Sequence, residues 1–204
     1  MKLLLISNST NAGEAYLKYP IGQIGEHLQD VTEVIFVPYA AVTFSYNEYE
    51  RKVQERFNEI GVKVRSIHHE KNPVKAILKR LKEGVPYVGW SAGSNVCCPT
   101  ICTTNDMPIV EPESFKAIGA VKFQINPHYL DANPEGHAGE TREQRIEEYI
   151  EANPRRYVVG LREGCMLRYI DGKLELIGSR PMRIFKKGVA AYEVNAGDDL
   201  SFLL

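Results

Sequence analysis

The sequence predicts an α/β protein in which a mostly parallel sheet is flanked by helices and ends in antiparallel C-terminal edge strands. Residues 3–6 and 34–37 are continuous apolar runs, which are typical of strands buried on both faces of a parallel sheet. Segments with helical periodicity alternate with such runs, and this alternation indicates parallel strands joined by right-handed crossovers. Near the C-terminus, a tight turn between two short apolar segments adds an antiparallel hairpin.

Local signals predict each element of the first half. Residues 15–28 are expected to be helical, and apolar side chains at three- and four-residue steps predict a second helix over residues 46–60. Residues 62–67 are predicted to form the next strand. Asn72 and Pro73 form a favourable cap and first-turn pair, so we expect them to begin a helix that continues to residue 82.

The second half continues this pattern and then changes character. Asp171-Gly172 supplies the positive φ of a type I′ turn and predicts a hairpin. No linker, repeat or low-complexity tract divides the chain, so we expect one domain over residues 1–204. The remaining predicted elements are a strand over residues 85–90, a strand over 123–126, a helix over 141–152, a strand over 158–161, and the hairpin over 165–170 and 173–177.

Charge and length exclude several classes of protein. The 25 basic and 26 acidic side chains are mixed along the chain and give a formal net charge of −1, which argues against a nucleic-acid surface or a basic membrane-binding face. The opening MKLLLIS is too short for a signal peptide and is better explained as a strand. A chain of 204 residues buries a sizeable core without help from a metal or a disulfide.

The cysteines and histidines predict neither disulfides nor a metal site. Their spacing matches no C-x-x-C pair and no helix-spaced ligand motif, so we expect reduced thiols in a cytosolic protein and no bound metal. The residues concerned are Cys97, Cys98, Cys102, Cys165, the pair His68-His69, and the pair His128 and His137.

A candidate nucleophile lies in VPYVGWSAGSN, residues 85–95. Ser91 stands between Gly89 and Gly93 in a G-x-S-x-G pattern, directly after a predicted strand and before a candidate helix. In this arrangement the serine occupies a strained turn that exposes its hydroxyl, and small neighbours are needed because bulky ones would collide. Ser91 is therefore predicted to be a nucleophile.

A nucleophilic serine needs a base and an acid that orients the base. His128 follows the predicted strand over residues 123–126 and is expected at the same sheet edge as Ser91. His137, in a glycine-flanked loop, is the weaker candidate base. Two acids stay open, because Asp106 lies in a polar turn and Glu163 follows the strand over residues 158–161.

Several longer strings of the chain resemble peptidase E, the α-aspartyl dipeptidase family. They are LLLISNST at 3–10, FVPYA at 36–40, GWSAGSN at 89–95, CPTICTTNDMPIV at 98–110, QINPH at 124–128 and PEGHAGETREQRIEE at 134–148. The resemblance implies a fold similar to class I glutamine amidotransferases. It also implies a cytoplasmic serine peptidase that needs no cofactor and takes small peptides with an N-terminal aspartate as its substrates.

The resemblance also implies roles for individual residues. Ser91 would be the nucleophile and His128 the base, while both Asp106 and Glu163 match acids that the family offers. The peptide N–H of Ala92 would stabilise the oxyanion. Arg142 matches the aspartate-recognising arginine, and a guanidinium suits a carboxylate because its planar fork binds both oxygens. Glu140, nearby, is our own candidate for pairing with the substrate's free α-amino group.

One segment of the family pattern is missing. A strand and its glycine-rich loop, which supply a second oxyanion donor in the family, have no counterpart between Ile77 and Leu81. Gly13 is a candidate replacement donor. Two other functions therefore stay open: a binding protein for aspartyl ligands that has lost turnover, and a serine esterase or amidase of other specificity. A glutamine amidotransferase is disfavoured, since those enzymes use cysteine where this chain has Ser91.

Overall fold

The computed structural model describes residues 1–69, 77–107, 109–133, 135–136 and 138–204. The predicted helix start at Asn72-Pro73 and the candidate base His137 lie outside these residues. The chain forms two compact units, one made of Met1–Ser9 and Leu78–Leu204 and the other of Thr10–Ile77. The single domain expected over residues 1–204 remains a prediction.

The described elements alternate between strand and helix until α5; five strands and a 3-10 turn over Ser201–Leu203 follow. The α-helices are α1 (Ile21–Leu28), α2 (Tyr46–Phe57), α3 (Ile77–Lys82), α4 (Ala92–Val96) and α5 (Arg142–Ala152). The strands are β1 (Lys2–Ile6), β2 (Glu33–Phe36), β3 (Lys63–Ser66), β4 (Tyr87–Trp90), β5 (Gln124–Tyr129), β6 (Tyr157–Arg162), β7 (Met166–Ile170), β8 (Lys173–Ile177), β9 (Met182–Lys186) and β10 (Val189–Val194).

The larger unit contains two four-stranded sheets. The first has the order β4-β1-β7-β8, with β1 parallel to β4 and antiparallel to β7. The second has the order β10-β9-β6-β5, with β5 parallel to β6 and the later strands antiparallel. Residues Leu3–Ile6 of β1 are fully buried, as the continuous apolar run predicts. The predicted α/β class is confirmed, but the sheets are mixed and not mostly parallel: three of the described strand pairs are parallel and four are antiparallel. Among the antiparallel C-terminal strands, β8 and β10 lie at sheet edges, while β7 and β9 are inner strands.

The smaller unit contains a two-stranded parallel sheet, β2 with β3, and the helices α1 and α2. Ser45 caps α2 by accepting a hydrogen bond from the Glu48 N–H at 3.2 Å. The helix buries Val53 and Phe57, and a 3-10 turn over Asn58–Ile60 follows it. The predicted helical periodicity up to residue 60 therefore spans an α-helix and its tightened last turn.

Two element predictions need correction, and two strands were missed. The helix predicted over residues 15–28 begins only at Ile21, because Pro20 precedes it and a proline inside the helix would remove a hydrogen bond. Strand β5 continues to Tyr129, so His128 lies within the strand and not after it. Strands β9 and β10 were not predicted. In the described residues, no helix is both long and apolar enough to cross a membrane.

Candidate active site

Ser91 occupies a sharp turn between β4 and α4. Its φ of 51° and ψ of −111° place it in a region that residues with side chains rarely adopt. The Ser91 N–H donates to the Ile6 carbonyl at 3.1 Å, which ties the turn to the end of β1. A Cβ on Gly89 would lie 2.6 Å from the backbone of Gly93, so the turn requires glycine at position 89. The local geometry is that of a nucleophile elbow.

The elbow is braced by buried hydroxyl groups. Ser94 Oγ lies 2.7 Å from the Ile6 carbonyl and 2.8 Å from the Gly89 carbonyl, so its single hydroxyl hydrogen is shared between these two acceptors. Tyr87 donates its hydroxyl to the Gly93 carbonyl at 2.7 Å. Burial raises the pKa of Tyr87 far above its ordinary value, so this phenol remains a donor at all physiological pH values. These bonds join both sides of the turn to the sheet.

His128 is held in a second unusual backbone conformation. Its φ is 54°, and the pairing of β5 with β6 shifts register between Pro127 and Tyr129. The His128 N–H donates to Ser7 Oγ at 2.8 Å, and Ser7 Oγ donates to the Leu161 carbonyl at 2.7 Å. A β-bulge of this kind redirects a side chain, here the imidazole.

Ser91, His128 and Glu163 form a hydrogen-bonded line. The imidazole Nε2 lies 2.9 Å from Ser91 Oγ, and Nδ1 lies 2.7 Å from Glu163 Oε1. An ionised carboxylate only accepts, so Nδ1 carries the proton and Nε2 is left to accept from the serine hydroxyl. This tautomer is the one that a general base needs.

Asp106 has different partners from Glu163. Asp106 Oδ2 accepts a hydrogen bond from Thr104 Oγ1 at 3.1 Å, and the Asp106 N–H donates to Thr104 Oγ1. Asp106 is exposed to solvent. The neighbouring Asn105 donates to the Pro127 carbonyl at 2.7 Å and braces the strand that carries His128. Of the two acids that the sequence left open, Glu163 is the one in contact with the imidazole.

A buried arginine next to Glu163 was not found by sequence reasoning. Arg162 has a side chain only 6% exposed and forms salt bridges with Asp131 and Glu193. It also donates to the Pro181 carbonyl at 2.6 Å. Arg162 is the last residue of β6 and directly precedes the candidate acid Glu163. This position is the only sequence signal that could have indicated a buried arginine beside the site. The network anchors the strand end from which Glu163 projects.

Arg142 is the first residue of α5 and is about half-buried. Its Nη1 donates to the carbonyls of Pro127 and His128, so the guanidinium lies against the backbone of the candidate base. Desolvation lowers the pKa of Arg142, while the charges of Glu163 and Asp106 raise it. The group stays cationic, since arginine is not deprotonated in proteins.

The other sequence-predicted residues lie around this centre or outside it. Ala92 is the first residue of α4, where backbone N–H groups have no partner within the helix. Glu140 is exposed and pairs with Arg145 Nη1 at 3.1 Å, so it would have to leave that partner to bind an amine. Gly13 belongs to the smaller unit and remains a prediction.

The buried cysteines do not provide an alternative nucleophile. All four cysteines are free, and Cys97 and Cys98 are fully buried. Burial raises the pKa of Cys97 to about 12 and raises that of Cys98 as well, so both remain thiols. Because the thiolate is the reactive form, these side chains are inert packing groups.

Comparison with known proteins identifies the family. The model of Peptidase family S51 matches residues 3–83 and 69–177. Peptidase E from Nostoc sp. is 43% identical over 233 aligned positions that cover 100% of this chain and 96% of the relative. Peptidase E from Salmonella typhimurium strain LT2 is 40% identical and covers 97% of this chain and 99% of its own length.

The comparisons also bear on the missing segment. The two family matches overlap over residues 69–83, a range that includes Ile77–Leu81, where the sequence is expected to lack a segment of the family pattern. The alignment with the Nostoc relative spans 233 positions although this chain has 204 residues, so part of that relative has no counterpart here.

A solved structure gives the same fold. A peptidase from an acI-B1 Actinobacterium superposes with a TM-score of 0.66 over 98% of this chain and 96% of its own, at 15% identity. At this sequence identity, the similarity supports a shared fold only. The sequence relatives and the family model go further, and they show that this chain belongs to Peptidase family S51.

Proposed function

We propose that this chain is a serine dipeptidase that hydrolyses peptides with an N-terminal aspartate through an acyl-enzyme. The observation that carries the proposal is the hydrogen-bonded line from Ser91 through His128 to Glu163, with separations of 2.9 Å and 2.7 Å. Membership of Peptidase family S51 and full-length relatives named Peptidase E support the same reaction class.

The proposed acylation begins at the serine hydroxyl. Ser91 Oγ attacks the carbonyl carbon of the aspartyl residue while His128 Nε2 takes its proton. Glu163 holds the imidazole in the required tautomer and stabilises the imidazolium that forms. The oxyanion of the tetrahedral intermediate faces the Ala92 N–H. The imidazolium then gives its proton to the leaving amine, and the C–N bond breaks.

Water completes the cycle in the proposed mechanism. His128 takes a proton from the water, whose oxygen attacks the acyl-enzyme, and the same proton returns to Ser91 Oγ as the ester bond breaks. Free aspartate and the second residue of the peptide are the products. An oxyanion donor is typically worth about 10²–10³ in rate, so losing the family's second donor would slow turnover without abolishing it.

Arg142 is the proposed specificity residue. Its guanidinium is half-buried beside the His128 carbonyl, where desolvation strengthens its attraction for a substrate carboxylate. Both ring nitrogens of His128 already have partners, Glu163 and Ser91. The carboxylate of the substrate's aspartyl side chain is therefore expected to bind the Arg142 guanidinium. Small aspartyl peptides are therefore the proposed substrates, and the reduced thiols are in keeping with action in the cytoplasm.

The test is hydrolysis of aspartyl p-nitroanilide beside its alanyl, glutamyl and asparaginyl counterparts. We expect release that is selective for aspartate and absent in Ser91→Ala. Equal release from all four compounds would replace the proposal with a general amidase. No release from a folded chain of verified mass, together with retained binding of an aspartyl ligand, would make the chain a binding protein.

A matched pair of arginine variants tests the specificity residue. Arg142→Lys keeps the charge but loses the fork, and we expect KM for the aspartyl substrate to rise by about 10-fold or more. Arg145→Lys is the control, since Arg145 is 63% exposed and pairs only with Glu140 and Glu148 among the described contacts. Equal KM values in the two variants would remove Arg142 from substrate recognition.

A further inference from the structure

We propose that Glu50, His68 and His69 form a binding site for a divalent transition-metal ion of the zinc class in the smaller unit. Each residue offers one ligand atom, and these atoms all lie within 4.8 Å of one another. Two imidazoles and one carboxylate are a donor set that Zn²⁺ accepts, with water in the remaining position.

The carboxylate is already oriented by the backbone. Glu50 projects from α2, and its Oε1 accepts from the Ser66 N–H at 2.7 Å at the end of β3. This bond leaves Oε2 facing His69 Nε2, also at 2.7 Å. A proton now links these two atoms. A metal ion would replace that proton and bind both atoms at about 2.0–2.2 Å, so the pair would separate slightly and the His68 ligand atom, now within 4.8 Å, would move inward.

His68 has the hydrogen bonds of a preorganised ligand. Its Nε2 lies 2.9 Å from Asn47 Oδ1, an acceptor, so the proton resides on Nε2 and Nδ1 keeps its lone pair. Nδ1 accepts a hydrogen bond from Ser66 Oγ at 2.5 Å, and a metal ion would take the place of this hydroxyl hydrogen. Metal-binding histidines commonly donate their second N–H to such a partner, which sets the tautomer.

Solvent reaches the cluster from the His69 side. The His69 side chain is 50% exposed and the Glu50 side chain 19% exposed, so an ion can enter and keep water ligands. The ring centroids of His68 and His69 are 4.0 Å apart, which holds both imidazoles on one side of the turn over Ile67–His69. An ion here would join α2 to the turn that follows β3 and stabilise the smaller unit.

This site departs from the sequence expectation that no metal is bound. Adjacent histidines match no ligand motif, and the third ligand comes from a separate element, helix α2, that only the fold brings next to them. Spacing along the chain therefore carried no signal for it.

The test is calorimetric titration of the chelator-treated full chain with ZnCl₂. We expect one ion per chain and a melting temperature that rises with ZnCl₂ concentration. His69→Ala and Glu50→Gln should each weaken binding by about 10-fold or more while leaving the far-ultraviolet circular dichroism unchanged. Asn47→Ala should weaken it by about 10–100-fold, the usual effect of removing a partner behind a ligand.

Two control variants distinguish this site from the rival ligands in the chain. His128→Ala removes the imidazole of the candidate active site, and Cys102→Ser removes the exposed thiol. Both should retain full Zn²⁺ affinity. Absence of binding to the wild type, or binding that survives His69→Ala and disappears in His128→Ala or Cys102→Ser, would overturn the proposal.

Discussion

The His128 N–H donates to Ser7 Oγ at 2.8 Å, and this bond fixes the backbone of the candidate base to the end of the first strand. Ser7 is fully buried and also donates to the Leu161 carbonyl. One hydroxyl thus joins β1, β5 and β6 at the edge where the candidate catalytic side chains meet. The positive φ of His128 is maintained by such surrounding contacts and not by the intrinsic preference of the residue.

Ser7→Ala is expected to lower kcat about 10-fold and to change KM little. The alanine leaves the His128 N–H and the Leu161 carbonyl without this partner, which should cost about 1–3 kcal/mol of stability. A loosened imidazole then spends less time in line with Ser91. Urea unfolding and steady-state kinetics measure both effects. A stability loss with unchanged kcat would limit Ser7 to a structural role.

Glu163→Gln and Asp106→Asn should differ strongly in activity. The glutamine can donate to Nδ1 and favour the wrong imidazole tautomer, so we expect kcat to fall by up to about 10⁴-fold. Asp106→Asn should stay within a few-fold of the wild type, because Asp106 bonds to Thr104 in an exposed turn. The measurement is kcat of each variant for hydrolysis of an aspartyl p-nitroanilide, and it shows which acid orients His128. The reverse ranking would make Asp106 the orienting acid.

The two glycines of the G-x-S-x-G pattern should respond differently to alanine. Gly89→Ala places a Cβ 2.6 Å from the Gly93 backbone and 2.8 Å from the Tyr87 ring, and we expect misfolding or a stability loss of several kcal/mol. In Gly93→Ala, the nearest atom is the Tyr87 hydroxyl at 3.9 Å, so the folded state should persist. Thermal unfolding of both variants provides the comparison. Equal losses would contradict the close approach at Gly89.

The Arg162 network should make stability depend on pH. Hydrogen bonds from Arg162 are the largest cause that lowers the pKa of both Asp131 and Glu193. A carboxyl group whose pKa is lowered by folding stabilises the folded state when the pH is above the group's ordinary pKa. This contribution is lost progressively as the pH falls below about 4.5 for Glu193 and about 3.8 for Asp131.

Arg162→Met should therefore be less stable than the wild type at neutral pH, and the difference should shrink in acid. Arg162 forms ion pairs with two partly exposed carboxylates, those of Asp131 and Glu193. We therefore expect the variant to lose about 1–3 kcal/mol of unfolding free energy at pH 7. Urea unfolding at about pH 7 and about pH 3 measures the change. A constant difference between the two pH values would mean that packing, and not the ion pairs, accounts for the loss.

The elbow and the element order were predictable because their signals are local. The small residues around Ser91 and the apolar run at residues 85–90 indicate a strand, a sharp turn and a helix, and the structure contains all three. Strand β9 was missed because it has only five residues, and β10 because its sequence VAAYEV shows no alternation of apolar and polar side chains. Both pair with strands formed earlier in the chain. Such strands are stabilised by their neighbours more than by their own pattern, and β9 has a neighbour on each side.

Sequence patterns were sufficient to predict the α/β class, a serine in a strained turn, the candidate base and the resemblance to a serine peptidase family. Each of these is encoded in periodicity, turn chemistry or contiguous strings of residues. The fold was needed to show that Glu163 and not Asp106 contacts His128, and that Glu50 lies beside His68 and His69. Hydrogen bonds and ligand sets form between residues far apart in the chain, and strand register and bulges, which no local pattern specifies, set their distances.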